Sequence, residues 1–238
     1  MRLIVMGNEY TGKTTLVRTV KRWMAEKMGD PTVMIHDHFM PRIGEGRPGV
    51  TPEEEEAEFY KLAPYALEMY TRYVMHYHLG DHFYSDNDHI VVNWFYADAV
   101  YAPLYFDFGG PGQYADRHAM ARHEESKIEH LAPDSVLVYL TASPDVIRER
   151  MRAEPRPTSR YREEDIERVG DLFGHEFANT LIRRRITLDT SDTTPEQTFA
   201  AFLTRMGPHF TLADRVRLLS QPLINAEIEA HSCAASAP

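Results

Sequence analysis

The order of apolar and polar residues along the chain predicts an α/β protein: a five-stranded parallel sheet with helices on both faces. Three observations carry that expectation. Five short apolar runs, at residues 3–6, 32–35, 89–93, 135–140 and 185–189, alternate with segments of helical periodicity. The runs are continuous rather than alternating, as in strands buried on both faces. A glycine-bearing turn joins the first run directly to the first helix, the arrangement of a doubly wound sheet.

Taken in order, Leu3 to Met6 form the first strand, and the helix after it begins near Thr15 with Leu-Val-Arg-Thr-Val-Lys-Arg-Trp-Met. Thr32 to Ile35 form a short second strand that ends in His36-Asp37-His38. Residues 40–52, with Pro41, Gly44, Gly46, Pro48, Gly49 and Pro52, have the turn chemistry of a loop. Thr51 and Glu54 then have the spacing of a capping box, which predicts one helix running to about Leu79. Its apolar positions, among them Phe59, Leu62, Tyr65, Leu67, Met69, Tyr73 and Tyr77, cover more than one stripe, so burial on several sides or a pocket wall is expected. His89 to Asn93 form the third strand, followed by a mostly helical, aromatic segment to Phe108 and a break at Gly109-Gly110-Pro111-Gly112. A helix from about Tyr114 to His130 precedes the fourth strand, Ser135 to Leu140, and Pro144 opens the next helix at its first turn, where a missing N–H is harmless. Residues 152–163 are rich in Arg and Pro. Glu164 to about Arg183 is helical, Arg185 to Asp189 is the last strand, and Pro195 to Met206 is a closing helix. The chain divides into a domain over 1–206, with a lid at about 152–163, and a C-terminal extension over 207–238 that ends in a flexible tail.

Composition sets limits on function. The chain has 238 residues, 43% hydrophobic and 26% charged, values of an ordinary soluble globule. No run approaches the length of a membrane span and no secretory leader precedes the first strand, so neither a membrane nor export is indicated. The one cysteine, Cys233, cannot form an internal disulfide, which fits a reducing cytoplasm. With 36 acidic against 26 basic side chains and a net charge of −10, polymeric nucleic acid is not a favoured partner. A homodimer is left open.

The strongest chemical signal is G-x-x-x-x-G-K-T from Gly7 to Thr14, a P-loop lying between a strand and a helix as the motif requires. Glycine at 7 and 12 permits backbone conformations in which successive N–H groups surround a phosphate. The run Gly7, Asn8, Glu9, Tyr10, Thr11, Gly12, Lys13, Thr14 and Thr15 is therefore the expected nucleotide-binding segment. Lys13 would reach the β- and γ-phosphates and Thr14 would place its hydroxyl on Mg²⁺. ATP with Mg²⁺ is the expected cofactor pair. The other residues at the carboxyl ends of the strands, where ligands collect in such sheets, are His36 to His38, Asn93 to Asp98, Thr141 to Ser143 and Asp189 to Asp192. Histidines at 76, 78, 82, 118, 123 and 130 match no standard zinc spacing.

On four regions the chain resembles the P-loop nucleoside and nucleotide kinases, thymidylate kinase-like proteins most of all. Gly7 to Thr15, with the acidic Glu9, is similar to that family's P-loop. Asn93 to Tyr101 stands where the family has an Asp-Arg-Tyr-type strand end. Leu140 to Met151 is similar to its Leu-x-x-x-Pro-x-x-x-x-x-Arg stretch before an arginine-bearing lid, and Thr187 to Ser191 resembles the strand and loop that hold adenine. The resemblance implies the P-loop kinase fold with an Arg-rich lid, and transfer of the γ-phosphoryl of ATP to a nucleoside, nucleotide or similar small molecule. It implies charge stabilisation by Lys13 and by lid arginines chosen from 150, 152, 156 and 160, with Arg150 and Arg156 preferred. Two departures stand out. Asn93-Trp94 replaces Asp-Arg, removing a carboxylate and a cation from the acceptor site. The second strand ends in Asp37, similar to small-molecule kinases whose aspartate takes a proton from an acceptor hydroxyl; for a phosphate acceptor, Asp37 would instead serve as an outer ligand of Mg²⁺. Glu9, His38, Asn93, Tyr96 and Asp98 are the candidate acceptor contacts. The alternatives are a hydroxyl kinase acting on an antibiotic or a modified DNA base, and a nucleotide-binding regulator. A GTPase switch is disfavoured because no Asn-Lys-x-Asp motif occurs.

Overall fold

The structure, a computed structural model, describes residues 1–36, 52–78, 81–85, 88–156 and 159–235. Five parallel strands, β1 (Arg2–Gly7), β2 (Met34–His36), β3 (His89–Val92), β4 (Val136–Thr141) and β5 (Arg185–Asp189), lie in the order β2-β3-β1-β4-β5. This is the expected sheet. Its central strand, β1, pairs Ile4 with Val91 on one side and Leu137 on the other.

The two-residue pleat sorts the strand side chains into two cores. Leu3 and Val5 of β1, Ile90 and Val92 of β3, and Val136, Val138 and Leu140 of β4 face one layer. There they meet Leu16, Val17, Val20 and Met24 of α1 (Lys13–Met28) and Phe202 and Met206 of α9 (Pro195–Met206). Ile4, Met6, Val91 and Leu137 face the other layer, against α5 (Trp94–Tyr105), α6 (Arg117–Leu131) and α8 (Ile166–Ala178). Both faces are covered, which is why the strands read as unbroken apolar runs.

Several boundaries differ from the sequence expectation. The single helix expected over 51–79 is two, α2 (Pro52–Phe59) and α3 (Pro64–His78). Pro64 disfavours helical geometry at Ala63, so the chain turns at 60–63 and starts again with proline at the first position. Thr51 of the expected capping box lies outside the described residues. Of the two expectations for this region, burial on several sides fails, since Tyr65, Met69, Tyr73 and Tyr77 are at least 50% exposed, while a pocket wall is formed by Tyr60, Thr71, Val74 and Met75. A short helix, α4 (Asp81–Ser85), follows, and was not foreseen. The helix expected from about Tyr114, α6, starts at Arg117. Pro144 does open α7 (Pro144–Ala153), with the Ser143 hydroxyl accepting from Val146 N as N-cap. From Gly207 the chain forms a 3₁₀ turn and then α10 (Leu212–Ala235). Residues 236–238 lie outside the described residues. The helix α10 is tied down where Asp214 meets the Met1 ammonium at 3.1 Å, and Arg217 donates to the Met28 carbonyl at 3.0 Å. No helix among the described residues is long and apolar enough to cross a membrane.

The start of α6 is set by Asp116. Its Oδ1 accepts from His118 N and Ala119 N, each at 3.0 Å, and its Oδ2 from Gly112 N at 2.7 Å. Burial alone would raise this carboxyl, but the three backbone donors outweigh it and hold its pKa below the ordinary aspartate value. A depressed folded-state pKa contributes stability that is present at neutral pH and lost as pH falls through that pKa. Asp116→Ala is expected to lose about 1 kcal/mol at pH 7 in urea unfolding. The deficit should shrink toward zero in acid; a deficit independent of pH would show that the cap does not act through its ionised form.

Candidate active site

The loop that leaves β1 is shaped by contacts at its first residue. Gly7 has φ +151°, and a Cβ there would lie 2.3 Å from the Leu140 carbonyl oxygen of β4, so only glycine fits. Its N–H donates to Asn93 Oδ1 at 3.0 Å. Asn93 in turn donates its own N–H to Val5 O at 2.7 Å and sits at φ +58° and ψ −56°, a strained conformation outside the left-handed helical region. Asn93 thus locks the ends of β1 and β3 together. Within the loop, the Thr11 hydroxyl donates to Asn8 O at 2.8 Å, and Lys13 Nζ donates to Gly7 O at 3.0 Å and Asn8 O at 2.7 Å. Asn8 Nδ2 reaches Ile166 O of α8 at 3.0 Å. Gly12, at φ +87°, caps α1, whose first N–H groups and positive dipole end are aimed out of the loop.

A cavity of about 1040 Å³ opens at this loop, along the carboxyl ends of the strands. At one end it is lined by Thr14, Thr15, Arg150, Thr190 and Thr193. Arg150 NH1 donates to Tyr10 O at 2.9 Å and its NH2 to Thr190 O at 2.7 Å, while the Thr190 hydroxyl reaches Thr11 O at 3.1 Å. The arginine therefore staples the loop to the end of β5. Beyond α7 the chain crosses the loop: Arg156 pairs with Glu9 at 3.0 Å and its guanidinium lies 4.9 Å from the Tyr10 ring centre. Tyr161 stacks on the same ring. Arg152, in contrast, pairs with Glu163 at the surface, 2.5 Å away, and does not line the cavity.

The other end is walled by Tyr60, Trp94, Tyr101, Tyr105 and Phe106. The Tyr101 hydroxyl donates to Glu9 Oε1 at 3.2 Å; burial, then the Glu9 charge, raises its pKa well above normal, so it remains a donor. Arg160 supplies a cation here, donating to Tyr105 O at 3.0 Å and Tyr60 O at 2.7 Å. Asp98 lines the same end and pairs at 2.9 Å with Arg117, which is fully buried and also donates to the Thr71 hydroxyl at 2.8 Å. Burial pushes Asp98 up to about 6; Arg117 opposes the shift and Glu68 adds to it.

The cavity thus brings together Glu9, Tyr10, Gly12, Lys13, Thr14, Thr15, Asn93, Asp98, Arg150 and Arg156. Tyr96 is a correction: it is completely buried beneath the cavity, donating to Glu125 Oε1 at 2.5 Å, and does not face the space where an acceptor would sit. Residues 94–97 start a helix, so consecutive side chains point about 100° apart and one of them must face the core. Asp37 and His38 lie outside the described residues, although His36 before them lines the cavity. Tyr101 and Thr190 were not singled out by the sequence as site groups, and Arg160 was one of the four lid candidates but not a preferred one. An aromatic-rich run and an Arg-rich loop were the only signals available for them.

Neither a protein-family model nor a characterised protein sequence matches the chain. Solved structures do. Deoxyadenosine kinase from M. mycoides with bound dATP superposes with a TM-score of 0.56 at 13% identity, over 87% of this chain and 100% of that one. The YorR protein of Bacillus subtilis, in complex with phosphorylated GDP, gives 0.53 at 16% identity over 88% and 99%. The fold is that of the P-loop nucleotide kinases. Thymidylate kinase from Candida albicans gives 0.52 at 16% identity over 88% of this chain and 93% of its own. Arg160 and Trp94 both line the cavity, the arginine reaching it from the segment after α7.

Two outcomes are expected. Asn93→Ala leaves the buried Gly7 N–H without an acceptor and places alanine at positive φ, a loss of about 2–4 kcal/mol in chemical denaturation; a loss within experimental error would remove Asn93 as the lock. For Asp98, a folded-state pKa of about 6 exceeds that of an unfolded aspartate, so its contribution is full below about pH 4 and lost as pH rises through 6. The stability of the wild type relative to Asp98→Asn should therefore fall between about pH 4 and 6.5 and level off above that. A flat difference would mean that the carboxyl is ionised throughout.

Proposed function

We propose that the protein is a phosphotransferase that moves the γ-phosphoryl group of ATP, with Mg²⁺, to a nucleoside, nucleotide or similar small-molecule acceptor. The observation that carries the reading is one continuous cavity with a P-loop at its middle, a threonine- and arginine-lined end for the donor and an aromatic-walled end for the acceptor. Nucleotides bound to neighbours of the same fold support it: dATP in one deoxyadenosine kinase structure and dCTP in another.

Phosphoryl transfer asks a protein for positioning and for neutralisation of spreading negative charge. Lys13 is held at the loop by two carbonyls and would exchange them for phosphate oxygens. Arg156, now on Glu9, and Arg150, beside Thr190, are the guanidiniums that would stabilise the transferring group and hold the donor. The Thr14 hydroxyl, in the first turn of α1 and on the cavity wall, fits the oxygen preference of Mg²⁺, which would offset charge on the β- and γ-phosphates. Asp37 is assigned the role of general base toward an acceptor hydroxyl, or of outer metal ligand if the acceptor is a phosphate. Glu9, Asp98 and Tyr101 would orient the acceptor with hydrogen bonds beside Asn93, the aromatic wall would stack on a planar base, and His38 is assigned to the acceptor from the sequence alone.

ADP release above background hydrolysis, measured with nucleosides, nucleoside monophosphates, amino sugars and base-modified DNA, separates the small-molecule reading from a hydroxyl kinase acting on antibiotics or DNA. No stimulation by any of them would favour a nucleotide-binding regulator. Lys13→Ala should lower kcat on the order of 100- to 1,000-fold while circular dichroism stays unchanged. Turnover at the wild-type rate in that variant would overturn the proposal. Asp37→Asn should lower kcat far more than it changes KM for ATP.

A further inference from the structure

The outward side of α1 carries a cluster of cations without a counter-charge. Arg18, Lys21 and Arg22 stand at spacings of three and four residues and so share one face of the helix, with Thr14 one turn ahead of them and Ala25 one turn behind. Among the described residues none of the three donates a hydrogen bond or joins an ion pair, and Glu26, the one acidic residue of α1, meets none of them. Exposed cations elsewhere do find carboxylates: Lys61 meets Glu58 at 2.6 Å and Arg183 meets Glu129 at 2.7 Å. Like charges at these spacings destabilise a helix. In a chain with 36 acidic against 26 basic side chains, neutralisation is the ordinary solution. Three cations left open together, against local stability, mark a place where the protein offers positive charge to something outside itself. A groove runs along this face, lined by Arg18, Lys21, Arg22, Ala25 and Pro31. Arg18 also lines the cavity at the P-loop, so groove and cavity meet at that residue.

We propose that the outer face of α1 is an anion subsite, and that the acceptor carries a diphosphate group seated on Lys21 and Arg22 while its hydroxyl lies in the cavity. The acceptor's hydroxyl rests on the phosphotransferase reading; the anion subsite stands on the cluster itself. Transfer is unchanged in kind: the hydroxyl oxygen bonds the γ-phosphorus, the bond to the β–γ bridging oxygen breaks, ADP leaves, and the hydroxyl proton passes to the general base. The subsite makes no bond and selects which acceptor is held. Its extent sets the ligand. Arg18 to Arg22 rise about 6 Å along α1, enough for one diphosphate, whose oxygens accept charge-assisted hydrogen bonds from Lys and Arg. A nucleic-acid strand calls for a longer basic track, against which the net charge of −10 weighs. Nor does the donor account for the cluster. A triphosphate cradled by the P-loop and reaching Arg150 and Thr190 runs toward β5, whereas Pro31 precedes β2 at the opposite edge of the sheet.

Calorimetric titration of the full chain with inorganic pyrophosphate reads the subsite directly. Because a P-loop binds the same probe, the titration uses Lys13→Ala, alone and combined with Lys21→Gln and Arg22→Gln. Binding should persist in Lys13→Ala and weaken about 10-fold or more in the combined variant. Lys13→Ala with Lys27→Gln, a charge lost from α1 outside the groove, should bind as Lys13→Ala does. Equal affinity with and without Lys21 and Arg22, or no binding to Lys13→Ala at millimolar pyrophosphate, would overturn the proposal. A second arm measures kcat/KM, with Lys13 intact, for a nucleoside, for two nucleosides joined by a diphosphate, and for a short single-stranded oligonucleotide. The diphosphate compound should be preferred, and Lys21→Gln with Arg22→Gln should lower its ratio to the plain nucleoside about 10-fold, with an unchanged circular dichroism spectrum. An unchanged ratio, or a preference for the oligonucleotide that the same variant abolishes, would overturn the proposal, the second in favour of a nucleic-acid track. Pyrophosphate binding through Lys21 and Arg22 without turnover of any acceptor would support the subsite and count against the phosphotransferase reading.

Discussion

Everything at the carboxyl edge of the sheet depends on how closely β1 and β4 approach at Gly7. The Gly7 Cα lies where any side chain would strike the Leu140 carbonyl, so the loop leaves the sheet without a Cβ in its way. Its N–H is then taken by Asn93, a side chain rather than a strand partner, because β3 has already ended at Val92. That one hydrogen bond fixes where the loop starts. From there the loop's own carbonyls collect Lys13, and α1 begins with its dipole aimed into the cavity. The positive φ at Asn93 and Trp94 is backbone strain located beside the cavity.

A chain this acidic concentrates its cations around one opening. Lys13, Arg150, Arg156 and Arg160 all line the cavity, and each is held by carbonyl oxygens or by Glu9. Walls of low dielectric strengthen the field they produce, which draws anions to the site although the molecule as a whole repels them. The arginines are also arranged by task. Arg150 and Arg160 are anchored to backbone and act as fixed charges, whereas Arg156 rests on a carboxylate and an aromatic ring that a phosphate could displace.

The aromatic end follows a different economy. Arg117 is fully buried, and such a charge is tolerable only with several partners; Asp98, Thr71 and the Glu68 backbone supply them from two helices. The cluster joins α3, α5 and α6, so the wall that would face an acceptor is held by an ion pair as well as by packing. Asp98 has a pKa near neutrality because burial opposes its charge more than one arginine restores it.

Read from the sequence alone, the sheet, the P-loop and the helix opened by Pro144 were legible, since each rests on local rules: apolar run length, glycine spacing and proline's missing N–H. The break at Pro64 was legible too, but a continuous aromatic pattern outweighed it. What the sequence did not resolve is which side of a helix meets what. Tyr96 and Tyr101 are equally aromatic and five residues apart on α5, yet one is sealed against Glu125 and the other bonds Glu9 across the cavity. Likewise Arg150, Arg152, Arg156 and Arg160 look alike in an Arg-rich stretch, and only packing separates the surface pair of Arg152 from the three that line the cavity. By itself, the sequence determined the parallel α/β sheet and the phosphate loop, because both are written in short-range geometry. The tertiary structure alone decided the walls of the cavity and the outward-facing cations of α1, because those depend on the direction in which each helix is rolled when two apolar layers close on one sheet.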